Sequence, residues 1–309
     1  MNDIRNVLLV GIGAIGGAVA QRLYDWDPAC IKVLAGGSRA ARYRENGFMI
    51  NGKQFDFQIA DPKATAVPAD LIIVAVKFYD LEKAIQDISP YVGDQTIILS
   101  LLNGISSEEM IGAVYGMDKV LYGLVIGIDG NRDHNQIRFT NEGTIVFGQP
   151  DNRVWSPMVQ AVASLFDRAG LRYRVPEDMM HALWYKYMIN IGINQASAAL
   201  MSPYGIFQTI PDAEAVVEAA MWEVIHVANR IGIALGEKDI ENWRIVLASM
   251  NPESRTSMHD DLVCGRATEL EMFAGTLMRL GQKQGMATPV NEMLYHMIRT
   301  REQMSQPVN

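Results

Sequence analysis

Cysteine is almost absent from this 309-residue chain: Cys30 and Cys264 stand far apart, with neither CxxC spacing nor a histidine cluster beside them. That scarcity excludes a disulfide framework and offers no zinc-site spacing, so no metal is expected. Long apolar runs are missing too, and nothing approaches the ~20 residues that a membrane-spanning helix needs. The start, Met1 to Arg5, is polar and lacks the charged, apolar, small-residue order of a secretory leader. A reducing, cytoplasmic setting is the expectation. Basic residues are the minority, 27 Lys and Arg against 35 Asp and Glu, and the formal net charge of -8 argues against a sequence-independent grip on nucleic acid. Internal repeats and low-complexity tracts are also lacking.

What is present suits an ordinary globular chain of about two domains, since 49% of residues are hydrophobic and 20% charged. The first half alternates short apolar runs with helical patterns. Val7 to Val10, Ile31 to Ala35, Leu71 to Val76 and Thr96 to Leu101 read as strands buried on both faces, with helix-like spacing between them. That alternation predicts βαβ crossovers and a Rossmann-like parallel sheet over residues 1–175. After Pro176 the strand-like runs give way to long amphipathic stretches, among them Asp178 to Leu200 and Met258 to Gln284, so residues 176–309 are expected to form an all-helical domain. The 18 methionines read as flexible core filler at helical spacing.

Gly11, Gly13 and Gly16 form GxGxxG directly after the first strand. In such a loop the glycines serve a tight turn, close approach of backbone to a pyrophosphate, and close packing of helix on strand. An NAD-binding chain usually carries a carboxylate at the end of the second strand to hold the ribose 2′-hydroxyl. Here Ala35, Gly36, Gly37, Ser38 and Arg39 follow instead. A hydroxyl and a guanidinium fork suit a 2′-phosphate, which favours NADP, although Arg39 is also compatible with the start of a surface helix. Lys77 and Asn103 close the third and fourth strands, at the sheet edge where ligands gather. Asn103-Gly104 commonly marks a hairpin, but Ser106 to Val114 looks helical and cannot be a returning strand.

In the second half, Lys186, Asn190 and Asn194 recur every four residues and share one helical face amid mostly apolar neighbours. A polar stripe on a buried helix needs partners, and this one carries a single charge, unlike a solvated face. Ser257 and Asp260 have capping-box spacing, which starts a helix at a place also suited to a carboxylate. On spacing alone Glu269 is equally the surface partner of Arg266.

These pieces together are similar to the ketopantoate reductase (2-dehydropantoate 2-reductase) family: GIGAIG from Gly11 through Ile12, Gly13, Ala14 and Ile15 to Gly16, VKFYD from Val76, LLNG ending at Gly104, WYKYMINIGIN ending at Asn194, and TSMHDDLVCGRATELE from Thr256 to Glu271. The resemblance implies an NADPH-dependent oxidoreductase of pantothenate biosynthesis that reduces ketopantoate, a 2-oxo acid, with its cleft between the two domains; the sequence does not fix the oligomeric state, and a homodimer through the helical domain is one option. Carried over position by position, it implies Lys186 as the proton donor. Asn190, Asn194 and Ser257 would hold substrate, Asn103 would touch both cofactor and substrate, and Glu269 would contact the cofactor; the glycine loop, Ser38, Arg39 and Lys77 are the cofactor candidates read from the residues themselves, and Ser254 is a further substrate-side candidate. Ser254 and Tyr204 depart from the pattern, standing where asparagines are expected on the substrate side. A different 2-oxo acid is therefore an alternative, and a noncatalytic NADP sensor a more distant one.

Overall fold

The computed structural model describes residues 3–304; Met1 and Asn2, the first residues of the polar start, lie outside them. The chain divides into two compact units, one ending at Met179 and the other beginning at Met180. The residues just beyond the expected boundary at 175/176 are held by the first unit. Asn152 donates to the Pro176 carbonyl (2.9 Å), and the Met179 N–H donates to the Pro150 carbonyl (3.1 Å).

The first unit runs β1 (Val7–Val10), α1 (Ala14–Trp26), β2 (Ile31–Leu34), α2 (Gly37–Asn46), β3 (Phe48–Ile50), β4 (Lys53–Phe55), β5 (Gln58–Ala60), β6 (Leu71–Val74), α3 (Leu81–Asp87), β7 (Ile97–Ser100), α4 (Ser107–Tyr115), β8 (Val120–Ile128), β9 (Asn131–Asp133), β10 (Gln136–Arg138), β11 (Glu142–Gly148), α5 (Pro157–Ala169) and β12 (Tyr173–Arg174). Its large sheet has the order β12-β11-β8-β7-β6-β1-β2-β5. All neighbours are parallel except β8 and β11. Side chains alternate along each strand. Val7, Leu9, Leu71 and Ile73 join α1 and α5 in one core, while Leu8, Val10, Ile72 and Val74 join α3 and α4 in another. That double coverage is why the strands are apolar throughout. The strand order reverses between β1 and β6, the switch point where such sheets bind ligands beyond their carboxyl ends.

A second, small sheet of order β4-β3-β10-β9 was not expected from the sequence. Only its β10 falls on a strand-like run of the sequence, Gln136 to Thr140; the other three-residue strands are too short to show a period.

Among its described residues the second unit is helical: most of α6 (Met179–Ile189), then α7 (Gln195–Leu200), α8 (Gly205–Thr209), α9 (Pro211–Arg230), α10 (Glu237–Ser249), α11 (Ser257–Val263), α12 (Thr276–Lys283) and α13 (Pro289–Met304), with π-helical turns at Asn190–Asn194 and Glu271–Gly275. The stretch Met258 to Gln284 is thus not one helix. Gly265 adopts φ +64°, its N–H bonds the Leu262 carbonyl (3.1 Å), and the Arg266 N–H bonds the Asp261 carbonyl (2.8 Å). This Schellman arrangement stops α11. The core-filler reading of methionine also has exceptions, because Met293 (66%), Met297 (41%) and Met304 (78%) form an exposed row on α13.

Candidate functional site

The three glycines are required for different reasons. Gly11 has φ +92°, and a Cβ there would lie 2.5 Å from the Ala75 carbonyl oxygen, so the turn beside β6 admits only glycine. A Cβ on Gly16 would lie 2.1 Å from the Gly11 carbonyl oxygen, which fixes how closely α1 approaches the loop. Gly13 is different, because a Cβ there would meet nothing within 4 Å. The chain's own packing does not call for that glycine; the space it keeps open fits a ligand approaching the backbone. Gly13 is also the N-cap of α1, where no side chain caps the helix and no carboxylate sits in the first turn. The N–H groups at Ala14, Ile15 and Gly16 therefore present partial positive charge to an anion. These features fit a dinucleotide pyrophosphate.

Ile12 contributes backbone to this loop while its side chain is buried (2% exposed). Its carbonyl accepts a hydrogen bond from Arg132 (2.9 Å), whose guanidinium also lies over the Tyr43 and Phe48 rings at 5.7 and 5.8 Å. Arg132 is thus a brace of the glycine loop. Sequence reasoning missed it because it lies on β9, in the small sheet, 120 residues from its partner.

Ser38 and Arg39 are exposed in the first turn of α2, which contains no acidic residue. Lys77 is exposed three residues beyond β6, at the start of a short 3-10 turn over Phe78–Asp80. Asn103 is half-buried beyond β7, and Gly104 follows with φ +89°. As expected, a helix and not a returning strand comes next. The first unit therefore gathers the glycine loop, Lys77 and Asn103 along the carboxyl ends of β1, β6 and β7.

In the second unit the asparagines of the polar stripe are buried and its lysine is half-buried, and its helix is not uniform. Lys186 is half-buried on α6, and burial pulls its ammonium below the ordinary lysine value. Asn190 and Asn194 are buried, 5% and 8% exposed, on the π-helical turn that follows. An i→i+5 ladder takes more residues per turn than the α-helix's 3.6, which brings residues four apart closer to one line. The Asn190 amide nitrogen has no hydrogen-bond partner among the described residues. A buried donor left unpaired is costly, so the atom is suited to an external acceptor. Gly192 lets α9 approach this turn, because a Cβ there would lie 2.7 Å from the Met221 side chain and 3.0 Å from the Val217 carbonyl oxygen.

The α11 start differs from the expected capping box. Thr256, not Ser257, is the N-cap, and its hydroxyl accepts from the His259 N–H at 3.2 Å. Ser257 is the first helical residue and is exposed, so its hydroxyl is not consumed by capping. His259 is buried and lies 3.5 Å from the Ser197 hydroxyl of α7, which docks the α11 start on the helix following the π turn. Ser254 is exposed, and its carbonyl accepts from the Tyr204 N–H at 3.0 Å. Tyr204 is half-buried, and burial and then the nearby Asp260 carboxylate raise its phenol above the ordinary tyrosine value. Glu269 is buried (9% exposed) just before the second π turn. Arg266 pairs with Asp261 at 2.7 Å. Among the described residues no group of three His, Cys, Asp or Glu side chains is placed to hold a metal ion.

Fold and glycine loop together define a dinucleotide-binding α/β protein carrying a helical unit with a half-buried lysine and two buried asparagines on one face. Residues 7–152 match the family described as ketopantoate reductase PanE/ApbA, and residues 178–302 match its C-terminal part. The chain belongs to the ketopantoate reductase family, a family of oxidoreductases. It is 27% identical over 312 residues to the 2-dehydropantoate 2-reductase of Aquifex aeolicus, covering 97% of each chain. Its fold superposes on D-mandelate dehydrogenase with NADH and anilino(oxo)acetate (TM-score 0.87, 22% identity, 97% of this chain and 99% of that one). It also superposes on a dimeric ketopantoate reductase from Staphylococcus aureus (TM-score 0.82, 19% identity, 97% and 100%).

Proposed function

We propose that the protein reduces a 2-oxo acid, 2-dehydropantoate first among them, to the 2-hydroxy acid with NADPH. The observation that carries this reading is the buried, unpaired amide donor of Asn190 one turn from the half-buried Lys186 ammonium. A nicotinamide cofactor, held by the glycine loop and the residues beside it, would supply hydride to the carbonyl carbon. Negative charge then develops on the carbonyl oxygen, and a positioned acid and hydrogen-bond donors are what that oxygen needs. Lys186 gives it a proton, leaving a neutral amine and a hydroxyl. Its lowered proton affinity makes that transfer easier than from an exposed lysine. Asn190 and Asn194 orient the substrate, and Ser257 with Ser254, beside the Thr256-capped start of α11, takes the carboxylate. Asn103 touches cofactor and substrate, and Lys77 and Glu269 touch cofactor. Ser38 and Arg39 hold the 2′-phosphate.

Tyr204 and Ser254 favour a second reading, in which the preferred 2-oxo acid is not 2-dehydropantoate, because both stand where the family pattern has asparagine. Two copies associate through the helical unit, with the Met293, Met297 and Met304 row buried between them. A cytoplasmic setting accords with two free cysteines. The test is NADPH oxidation against a panel of 2-oxo acids that includes 2-dehydropantoate and an aromatic acid. Turnover of none, with NADPH still bound, overturns the enzymatic reading in favour of a sensor.

A further inference from the structure

Gln195 is fully buried (0% exposed) and takes no part in the chemistry proposed above. In an α-helical ladder its backbone N–H would bond the Ile191 carbonyl, four residues back. At the end of the π turn that N–H goes instead to the Gly192 carbonyl. The Ile191 carbonyl is met by the Gln195 side-chain amide, at 2.8 Å. The same nitrogen lies 2.9 Å from the side-chain oxygen of Asn291, a wholly buried residue of α13. Asn291 in turn donates to the Ala220 carbonyl (3.1 Å) and to the Glu223 carboxylate (2.7 Å), both on α9. Glu223 also accepts from the backbone N–H groups of Val290 (2.8 Å) and Asn291 (3.0 Å), tying up the open first turn of α13.

The orientations of these groups are mutually determined. Asn291 must turn its NH2 toward two acceptors on α9, so its oxygen faces α7, and Gln195 must meet that oxygen and the Ile191 carbonyl with its own NH2. A flipped amide at either position would set like against like in a buried place. The π turn is therefore tied through one chain of hydrogen bonds to α9 and α13. Slipping the register by a single residue would swing each side chain by roughly 100° about the axis.

We propose that Gln195 and Asn291 are positioning residues that lock the π-helical register, so that Asn190 and Asn194 face the substrate in line with Lys186. This rests on the reading of the site as a 2-oxo acid reductase. The lock acts on the substrate side only, because the cofactor is held mainly by the first unit.

The test compares wild type, Gln195→Met, Asn291→Leu and the double variant. Three quantities are measured: kcat and KM with the 2-oxo acid that wild type turns over best, NADPH affinity by fluorescence titration, and amide hydrogen exchange over residues 190–195. Each single variant is expected to lose about 10-fold or more in kcat/KM, and the double variant no more than about 2-fold beyond the worse single, as members of one network do. NADPH affinity stays unchanged while exchange in the turn accelerates. Normal kcat/KM in Gln195→Met, whatever its melting temperature, would reduce the network to ordinary core structure and overturn the proposal. So would fully multiplicative losses in the double variant. Should Asn291→Leu not fold, Gln195→Met against wild type carries the decision. If wild type reduces no 2-oxo acid, the functional reading fails by itself, and exchange decides the lock: acceleration in Gln195→Met supports it and unchanged protection overturns it.

Discussion

The Tyr204 N–H donates to the Ser254 carbonyl at 3.0 Å, so the two positions at which the resemblance leads us to expect asparagine are neighbours joined by backbone. The Gly205 N–H, next in sequence, bonds the Pro252 carbonyl at 2.9 Å and extends the pairing. In the proposed site, changes at the two positions therefore act together. Tyr204→Asn combined with Ser254→Asn is expected to shift the ratio of kcat/KM for 2-dehydropantoate over an aromatic 2-oxo acid by about 10-fold or more, the scale at which a few pocket contacts discriminate. Competition kinetics with both acids check this; an unchanged ratio would remove the pair from specificity.

In the proposed mechanism Lys186 combines a chemical role with a burden on stability. Lys186→Met is expected to lower kcat by about 10²-fold or more, and wild-type reduction should fade on the alkaline side at a pH below the ordinary lysine range. Stability moves the other way. Because burial lowers the lysine's proton affinity in the folded chain, the folded state holds less proton than the unfolded one from the folded pKa up to the ordinary 10.5. Wild-type stability thus gains as pH climbs through that window, and the variant lacks the gain. Melting curves at pH 7 should favour the variant, by a margin that narrows toward pH 10.

Arg39→Ala should raise KM for NADPH by about 10-fold while sparing NADH, since a charge-assisted bond to a 2′-phosphate is lost only where that phosphate exists. Equal losses with both cofactors would return Arg39 to the surface of α2.

Capping and ligand binding are separable at the start of α11. Thr256→Ala is expected to cost about 1 kcal/mol, the usual worth of an N-cap. Ser257→Ala should leave the melting temperature nearly unchanged and raise KM for the 2-oxo acid. Denaturant titration and steady-state kinetics on the two variants distinguish the roles.

Glu108 offers a test on the first unit. It is 1% exposed on α4, and desolvation pushes its carboxyl up to about 7, against hydrogen bonds from the Ser107 hydroxyl (2.9 Å) and the Gly123 N–H (3.3 Å). Glu109 adds to the rise, and Tyr122 is the other titratable neighbour. The folded chain keeps this proton more tightly than the unfolded chain, so the contribution is full below about 4.5 and is lost as pH rises to about 7. Melting temperatures from pH 5 to 8 should fall less in Glu108→Gln, which mimics the protonated acid, than in wild type.

The large parallel sheet was legible because each strand is apolar on both faces and each crossover carries a helical period, both local properties of the chain. The glycine loop was legible for a similar reason: a tight turn, an open cradle and a helix start are built from residues adjacent in sequence. Lys186, Asn190 and Asn194 could be found because their spacing alone puts them on one side of a helix. Thr256 and Ser257 show where such reading stops. Two adjacent hydroxyls offer the same capping chemistry, and only the path of the incoming chain selects between them. Arg132 shows it again, since its value lies in reaching a carbonyl 120 residues away.

Composition and period thus determine, with no reference to distant contacts, that this chain folds as a Rossmann-like sheet followed by helices and carries a lysine and asparagine face. The π register of Asn190–Asn194 has no such local cause. An i→i+5 turn is unfavourable by itself, and nothing in the spacing of Lys186, Asn190 and Asn194 distinguishes it from ordinary helix. It persists where the Gln195 side chain meets the Ile191 carbonyl and is itself held by Asn291 of a remote helix, and where α9 crowds the glycine within the turn. Gln195, Asn291, Glu223 and Gly192 do this only after α7, α9 and α13 have packed together.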